Sequence, residues 1–362
     1  MDDTPQTNDA PGEEPPHSGT RGEGQQPGQR PGRQVGRRLA YVVIAAVVLL
    51  GVVGTPAWLA WRGFTAASDI LQPTTVLIEE GAGLGRIARQ LEREELVSSA
   101  LMFRAGVEVY GYASALKAGE YQIPRHASMR QIMRILVDGQ PILHPITVLE
   151  GMTSWEVVEH LALQPVLTGT VPFVPAEGSL LPETYLVTRG TSRVDVIERM
   201  QQAQAQLLED LWPKRADDLP IASIEEALIL ASIVEKETGK GDERPKAASV
   251  FVNRLNRGMR LQSDPTIIYG ITKGEAPLGR RIRRSELDAV TPYNTYKIDG
   301  LPPTPICNPG AASIAAVLNP ADTEYLFFVA DGNGGHSFAR TNREHERNVR
   351  AWRQIQRERG LR

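Results

Sequence analysis

Cysteine is almost absent: Cys307 is the only one in 362 residues. No intramolecular disulfide can form, so core burial alone must hold the chain together, and Cys307 itself reads as small apolar packing. His-Glu-x-x-His is missing and the six histidines are scattered, so neither zinc nor any other metal or cofactor is expected. Gly-x-Ser-x-Gly is missing too, which removes a hydrolase built on a nucleophile elbow. Nor is there an excess of basic charge. A formal net charge of −3 argues against a nucleic-acid partner, which demands a strongly positive surface.

What the chain does have is one long uncharged run, residues 39–61. At about 1.5 Å per residue a helix of that length reaches roughly 34 Å, enough to cross a hydrocarbon core of about 30 Å. The run ends in Pro56, Trp58 and Trp61 before Arg62 rather than in a small-x-small cleavage site, which reads as an uncleaved anchor rather than a secretory signal. Arg30, Arg33, Arg37 and Arg38 crowd its N-terminal flank. The positive-inside rule therefore puts the N-terminus in the cytoplasm and everything beyond residue 61 outside it. Residues 1–38 are rich in Pro and Gly and poor in large apolar side chains, so they are expected to be a disordered tail.

After a linker at 62–74, residues 75–91 read as a strand (Val76, Leu77, Ile78), a turn at Gly81 and Gly83, and a helix carrying Leu84, Ile87, Ala88 and Leu91 on one face. The design returns at residues 147–161, where Glu150-Gly151 aligns with Glu80-Gly81 and Trp155, Val158 and Leu161 form the apolar face. A third unit runs from Gly119-Glu120-Tyr121 through Pro124 into Met129, Ile132, Met133 and Leu136. Such small units need neighbours to bury their faces. The expected architecture is α+β: one membrane helix, a small βα module over 75–142, and a larger mixed α/β domain over 146–362.

Chemistry concentrates in the second domain. Residues 223–239, SIEEALILASIVEKETG, open with a Ser223/Glu226 capping box and stop at Gly239. At 100° per residue Leu230, Ile233, Val234 and Glu237 share one sector, while Glu235 points elsewhere. A carboxyl forced among apolar neighbours keeps its proton to higher pH, as a general acid requires. Glu237 is the acid candidate, the competing reading being a helix-end Glu paired with Lys236, Lys240 or Arg244. Gln262 and Asp264 project from one side of a short extended piece; Asp264, followed by Pro265, also suits a helix N-cap, with Tyr269 and Gly270 closing that helix. Tyr293 and Asn294, in the cluster before a Pro-rich turn, suit either sugar stacking and amide recognition or a rigid turn. Tyr325 to Val329 read as a core strand, Asp331 to Gly335 as a tight turn, and the Arg280, Arg281, Arg283 and Arg284 cluster as a solvated loop. The chain closes on a helix with a Thr341/Glu344 capping box, expected to dock rather than to catalyse.

Read together, LASIVEKETG at 230–239, SVFVNRLNRGMRLQSDPTIIYG at 249–270, PYNTYKIDGLPPTPICNPG at 292–310 and YLFFVADGNGGHSF at 325–338 closely resemble the endolytic murein transglycosylase, or YceG-like, family. EGSLLPETY at 177–185, the Glu150-Gly151 unit and the anchor extend the likeness to nearly everything after the tail. The resemblance implies a plasma-membrane lyase facing the cell wall, with a LysM-like module at 75–142 and a catalytic domain that cuts peptidoglycan glycan strands internally. It implies Glu237 as the catalytic residue, Gln262, Asp264, Tyr293 and Asn294 as cleft residues, and peptidoglycan synthases as partners. Cys307 in the Pro-rich turn and the basic loop around Arg280 depart from the family pattern. Two rivals remain: a hydrolytic muramidase, with Asp264 or Glu235 positioning a water, and a membrane-tethered glycan-binding scaffold without catalysis.

Overall fold

A computed structural model describes residues 32–360; most of the tail, residues 1–31, lies outside them. α1 (Gly32–Thr65) begins seven residues ahead of the uncharged run and contains Pro56. Over residues 39–61 its large apolar side chains are exposed on every face, and it is long and apolar enough to cross a membrane.

The body of the chain, from Phe64 onward, is mixed α and β. β1 (Thr74–Ile78), α2 (Leu84–Arg93), α3 (Ala100–Val109), β2 (Gly119–Ile123) and α4 (Met129–Asp138) come first. β1 and β2 pair antiparallel, with Val76 opposite Tyr121. Ile87, Ala88 and Leu91 of α2, Phe103 and Val107 of α3, and Ile132, Met133 and Leu136 of α4 bury onto this ribbon. Phe64 and Ile70 are buried in the same core, so the expected linker is packed down. α3 had no counterpart in the sequence reading.

The repeated unit follows as β3 (His144–Thr147), α5 (Ser154–Ala162), β4 (Thr184–Val187) and α6 (Arg193–Leu211). β3 and β4 also pair antiparallel. Gly81 and Gly151 both sit at positive φ, 73° and 81°, where a side chain would be strained. On α5 the fully buried positions are Ser154, Val157 and Leu161, with Trp155 and Val158 only half-buried. The Thr153/Glu156 capping box sets that start, and of the expected stripe Leu161 alone is fully buried. Glu120 of β2 joins the two parts by accepting from His144 at 2.6 Å and pairing with Arg189 at 3.2 Å.

A third core surrounds α7 (Ile224–Glu237), which packs on α8 (Arg244–Asn256), α9 (Asp264–Thr272) and α11 (Ala311–Leu318). The short α10 (Arg284–Asp288) lies between α9 and α11 in sequence, and its Arg280–Glu286 and Arg284–Asp288 pairs keep the basic loop at the surface. The hairpin of β5 (Phe327–Ala330) and β6 (His336–Ala339) is closed by Asp331, which accepts from the Asn333 and Gly335 amides, and α12 (Asn342–Glu358) packs against it. Cys307 is fully buried beside the Ser232 carbonyl. Three expected ends shift. Ser223 caps Glu226, but Glu226 reaches the Ala222 amide instead of returning to Ser223, and α7 stops at Thr238 rather than Gly239. The cap position of α9 is Ser263, so Asp264 is its first helical residue, and the helix continues to Thr272, closed by left-handed Lys273.

The second unit is locked to the third core through Asn308, which is fully buried. Its amide accepts from the Leu180 amide and donates to the Met152 carbonyl and the Ser154 hydroxyl, each at 3.1 Å. Removing it leaves buried groups unsatisfied at about 1–3 kcal/mol each. Asn308→Ala should lower stability by about 3 kcal/mol, measured by urea unfolding of the detergent-solubilised chain.

Candidate active site

Three successive residues at the end of α7 point in different directions, about 100° apart. Glu235 accepts from the Gly310 amide at 3.0 Å and pairs with Arg244 at 3.3 Å, and the same guanidinium reaches Glu150 at 2.7 Å. Lys236 donates to the Gly151 carbonyl at 3.2 Å. The Glu150-Gly151 turn is thereby clamped onto the helix end; even a Cβ on Gly310 would collide with the Glu150 carboxylate. Glu237 alone turns into a cavity of about 590 Å³, within the range of small-ligand sites.

The Glu237 carboxyl meets two opposing influences. Burial raises its pKa most, and the neighbouring Asp264 charge adds to that; the Ser263 hydroxyl, donating at 2.6 Å, and the positive charges of His336 and Arg254 pull the other way. The net direction is up. Ser263 is held in place by its own amide donating to the Thr295 hydroxyl at 2.9 Å and by its carbonyl accepting from Thr266 at 2.7 Å. The adjoining Gln262 is left-handed, at φ 53°, a conformation uncommon outside glycine that sharply redirects the chain entering α9.

Of the expected cleft residues, Gln262 and Asp264 line this cavity together with Glu237. Asp264 does not cap its helix by a side-chain bond; its carboxylate accepts from the Tyr296 hydroxyl at 2.7 Å. Tyr293 and Asn294 are not among the lining residues. Tyr293 leans on Tyr269 with ring centroids 5.2 Å apart, bonds Thr304 at 2.8 Å and carries the Lys273 ammonium 4.1 Å above its face. Asn294 is fully buried, its amide donating to the carbonyls of Glu286, Leu287 and Ala289 while its oxygen accepts from the Tyr296 amide. It is a turn organiser that presents Tyr296, and Tyr296 is the aromatic that reaches the cavity.

The remaining walls were not foreseen. β5 is half-buried rather than core, because Phe327, Phe328 and Val329 face the cavity. α12 contributes Asn342, His345 and Val349, so the closing helix is part of the site and not merely docked beside it. His345 stacks on Phe327 at 5.1 Å, and its Nδ1 is buried without a hydrogen-bond partner. Arg254, nearly buried, donates to the Leu326 and Leu261 carbonyls at 2.7 Å each and lies over the Phe327 ring. One signal for it was available: Arg254 follows Ala247, Val250 and Phe251 at helical spacing on an apolar stripe.

Residues 76–351 match the model of the YceG-like family. The chain belongs to the YceG-like family. It is similar to the endolytic murein transglycosylase of Bacillus subtilis, 30% identical over 324 residues that cover 78% of this chain and 88% of that protein. It is equally similar, at 30%, to the endolytic murein transglycosylase of Streptococcus pneumoniae serotype 2, over 76% of this chain and 57% of that longer protein. The crystal structure of a YceG-like protein from Listeria monocytogenes, 29% identical, covers 76% of this chain and 99% of its own at a TM-score of 0.47.

A second carboxyl with a raised pKa, Glu177, separates burial from catalysis in this YceG-like chain. Burial lifts it to about 7 although the Ser154 amide donates to it at 3.0 Å, and it does not line the Glu237 cavity. A folded-state pKa above the ordinary 4.5 means the folded state holds the proton more tightly, so stability falls as pH rises from about 4.5 to 7. Glu177→Gln should equal wild type in stability below that window and exceed it at about pH 8 by up to about 3 kcal/mol, with activity retained. Unfolding curves across pH check this.

Proposed function

We propose that this chain is a membrane-anchored endolytic lytic transglycosylase, cleaving the bond between N-acetylmuramic acid and N-acetylglucosamine in nascent peptidoglycan strands. The observation that carries the reading is one carboxyl, Glu237, at a cavity wall where burial raises its pKa, in a chain of the YceG-like family. Protonated Glu237 donates to the glycosidic oxygen as its bond to C1 breaks. The resulting carboxylate takes the proton from the muramyl 6-hydroxyl as that oxygen closes on C1, leaving a 1,6-anhydro end and a regenerated acid. No water is consumed, and one group serves both steps, where most glycosidases divide the work between two carboxylates.

Several side chains support this assignment. Ser263 orients the carboxyl, and Tyr296 and Asp264 form a polar wall beside it. Glu235 is committed to Arg244 and the Gly310 amide, which disfavours it as the water-positioning base of a hydrolase. α1 serves as the anchor in the plasma membrane, with the N-terminus in the cytoplasm, the βα module over 75–142 binds glycan, and the activity ends strand elongation beside the synthases.

Glu237→Gln should reduce cleavage of purified sacculi on the order of 10³-fold while the fold and glycan binding persist. Mass spectrometry of the ends made by wild type separates the chemistries: anhydro ends support the proposal, and ends one water heavier replace it with hydrolysis. Ser263→Ala removes a bond to the charged form of Glu237, so the acid keeps its proton further up the scale. The limb on which activity falls with rising pH should move up by about one unit; an unmoved limb would show that Ser263 does not tune the acid.

A further inference from the structure

A second cavity, of about 770 Å³, lies far from Glu237 in sequence, where the chain leaves α1. Thr65, the last residue of α1, and Ala67 form one edge, and His126 from the turn before α4 with Arg130, Gln131 and Arg134 from α4 form the other. Its titratable lining is basic only. The edges are fastened together: the His126 amide donates to the Ile70 carbonyl at 2.8 Å, and its Nδ1 donates to the Ser68 carbonyl at 3.2 Å.

The two arginines stand one turn apart on α4 and rest on an aromatic shelf. Arg130 lies 5.7 Å over Tyr110 and Arg134 lies 5.1 Å over Tyr112. The rings stack on each other at 6.4 Å, and Tyr110 in turn stacks on buried Phe64 at 6.0 Å. Arg134 is steadied further by the Tyr112 hydroxyl and by the exposed Asp138, each at 3.0 Å. Arg130 has no ion pair among the described residues, and its guanidinium fork suits a phosphate oxygen pair.

Position decides what kind of phosphate would come. Thr65 follows Trp61, the end of the uncharged run, by four helical residues, about 6 Å. The geometry points to a binding site for the phosphate of an anionic membrane lipid headgroup, on the side of the membrane that holds the catalytic domain. This rests on the reading of α1 as a spanning anchor. Bound there, a headgroup fixes the βα module against the lipid surface at the point where the chain emerges.

The test uses the full-length chain in phosphatidylcholine nanodiscs titrated with phosphatidylglycerol, with bound lipid read by native mass spectrometry. A basic residue near an anionic lipid surface is worth about fivefold in affinity. Arg130→Gln should weaken phosphatidylglycerol binding about fivefold and the Arg130→Gln/Arg134→Gln pair about twenty-fivefold. Arg104→Gln, on α3 and outside the cavity, should change nothing. Equal lipid occupancy in wild type and the double variant overturns the proposal, provided both melt alike. Inorganic phosphate binding as tightly as the lipid, and displacing it, overturns the lipid as the source. A chain that never enters the discs overturns the anchor reading, and this one with it.

Discussion

A carboxyl group at the C-terminal end of a helix is in an unfavourable place to carry charge, and the site depends on that. The peptide dipoles of α7 present their negative end at Glu237, its last residue. Burial and the Asp264 charge push in the same direction. Asp264 itself opens α9, at the end where peptide dipoles favour negative charge. The two carboxyls therefore share one cavity from opposite kinds of helix end. The Ser263 hydroxyl moderates the effect, so that Glu237 can still release its proton.

Such an acid works only if its helix end stays in place, and the residues before it secure that. Glu235 and Lys236 spend their polar groups on Gly310, Arg244 and Gly151, turning a motif of three ionisable residues into two struts and one carboxyl that faces the cavity. The Glu150-Gly151 turn is the other half of the clamp. Its counterpart, Glu80-Gly81, has the same left-handed glycine, yet Cβ space at Gly81 is open where Gly151 lies against Glu235. The repeat thus copies a turn whose packing partner exists only in the second unit.

The parts legible in the sequence are those set by local periodicity. The projection that put Glu237 in one sector with Leu230, Ile233 and Val234 needs only that α7 be a regular helix, which it is, although residues 229–234 are buried on every face and not on that side alone. Gln262 and Asp264 line one cavity for a reason other than the expected alternation along an extended piece: Gln262 is left-handed and Asp264 already opens α9, so it is the turn at 262 that brings them together. The aromatic cluster misled for a related reason. In Tyr293-Asn294-Thr295-Tyr296 the chain turns, so which tyrosine meets the cavity depends on where Asn294 anchors, and its partners are backbone carbonyls with no sequence signature. The hairpin and α12 were invisible as walls, because among the described residues β5 pairs only with β6, and its strongly apolar run looked like core. Arg254 was readable in principle: an arginine on an apolar stripe is either paired or structural, and here its donors hold the Leu261 and Leu326 carbonyls beneath the cavity.

Anchoring changes what the cavity must supply. On the proposed reading, enzyme and nascent strand both occupy a thin layer beside the membrane, which raises their effective concentration toward the millimolar range typical of short tethers. Tight ground-state binding would then bring no gain in rate, since only interactions stronger in the transition state speed the chemistry. A cavity whose walls mix aromatic faces with a few polar groups suits that demand. Affinity can stay weak and distributed along the strand, while the one group that matters at the bond being broken, the carboxyl of Glu237, is kept in the protonation state the reaction needs. On the same reading the βα module and the apolar helix that precede the proposed catalytic part would supply proximity, leaving the cavity to supply chemistry.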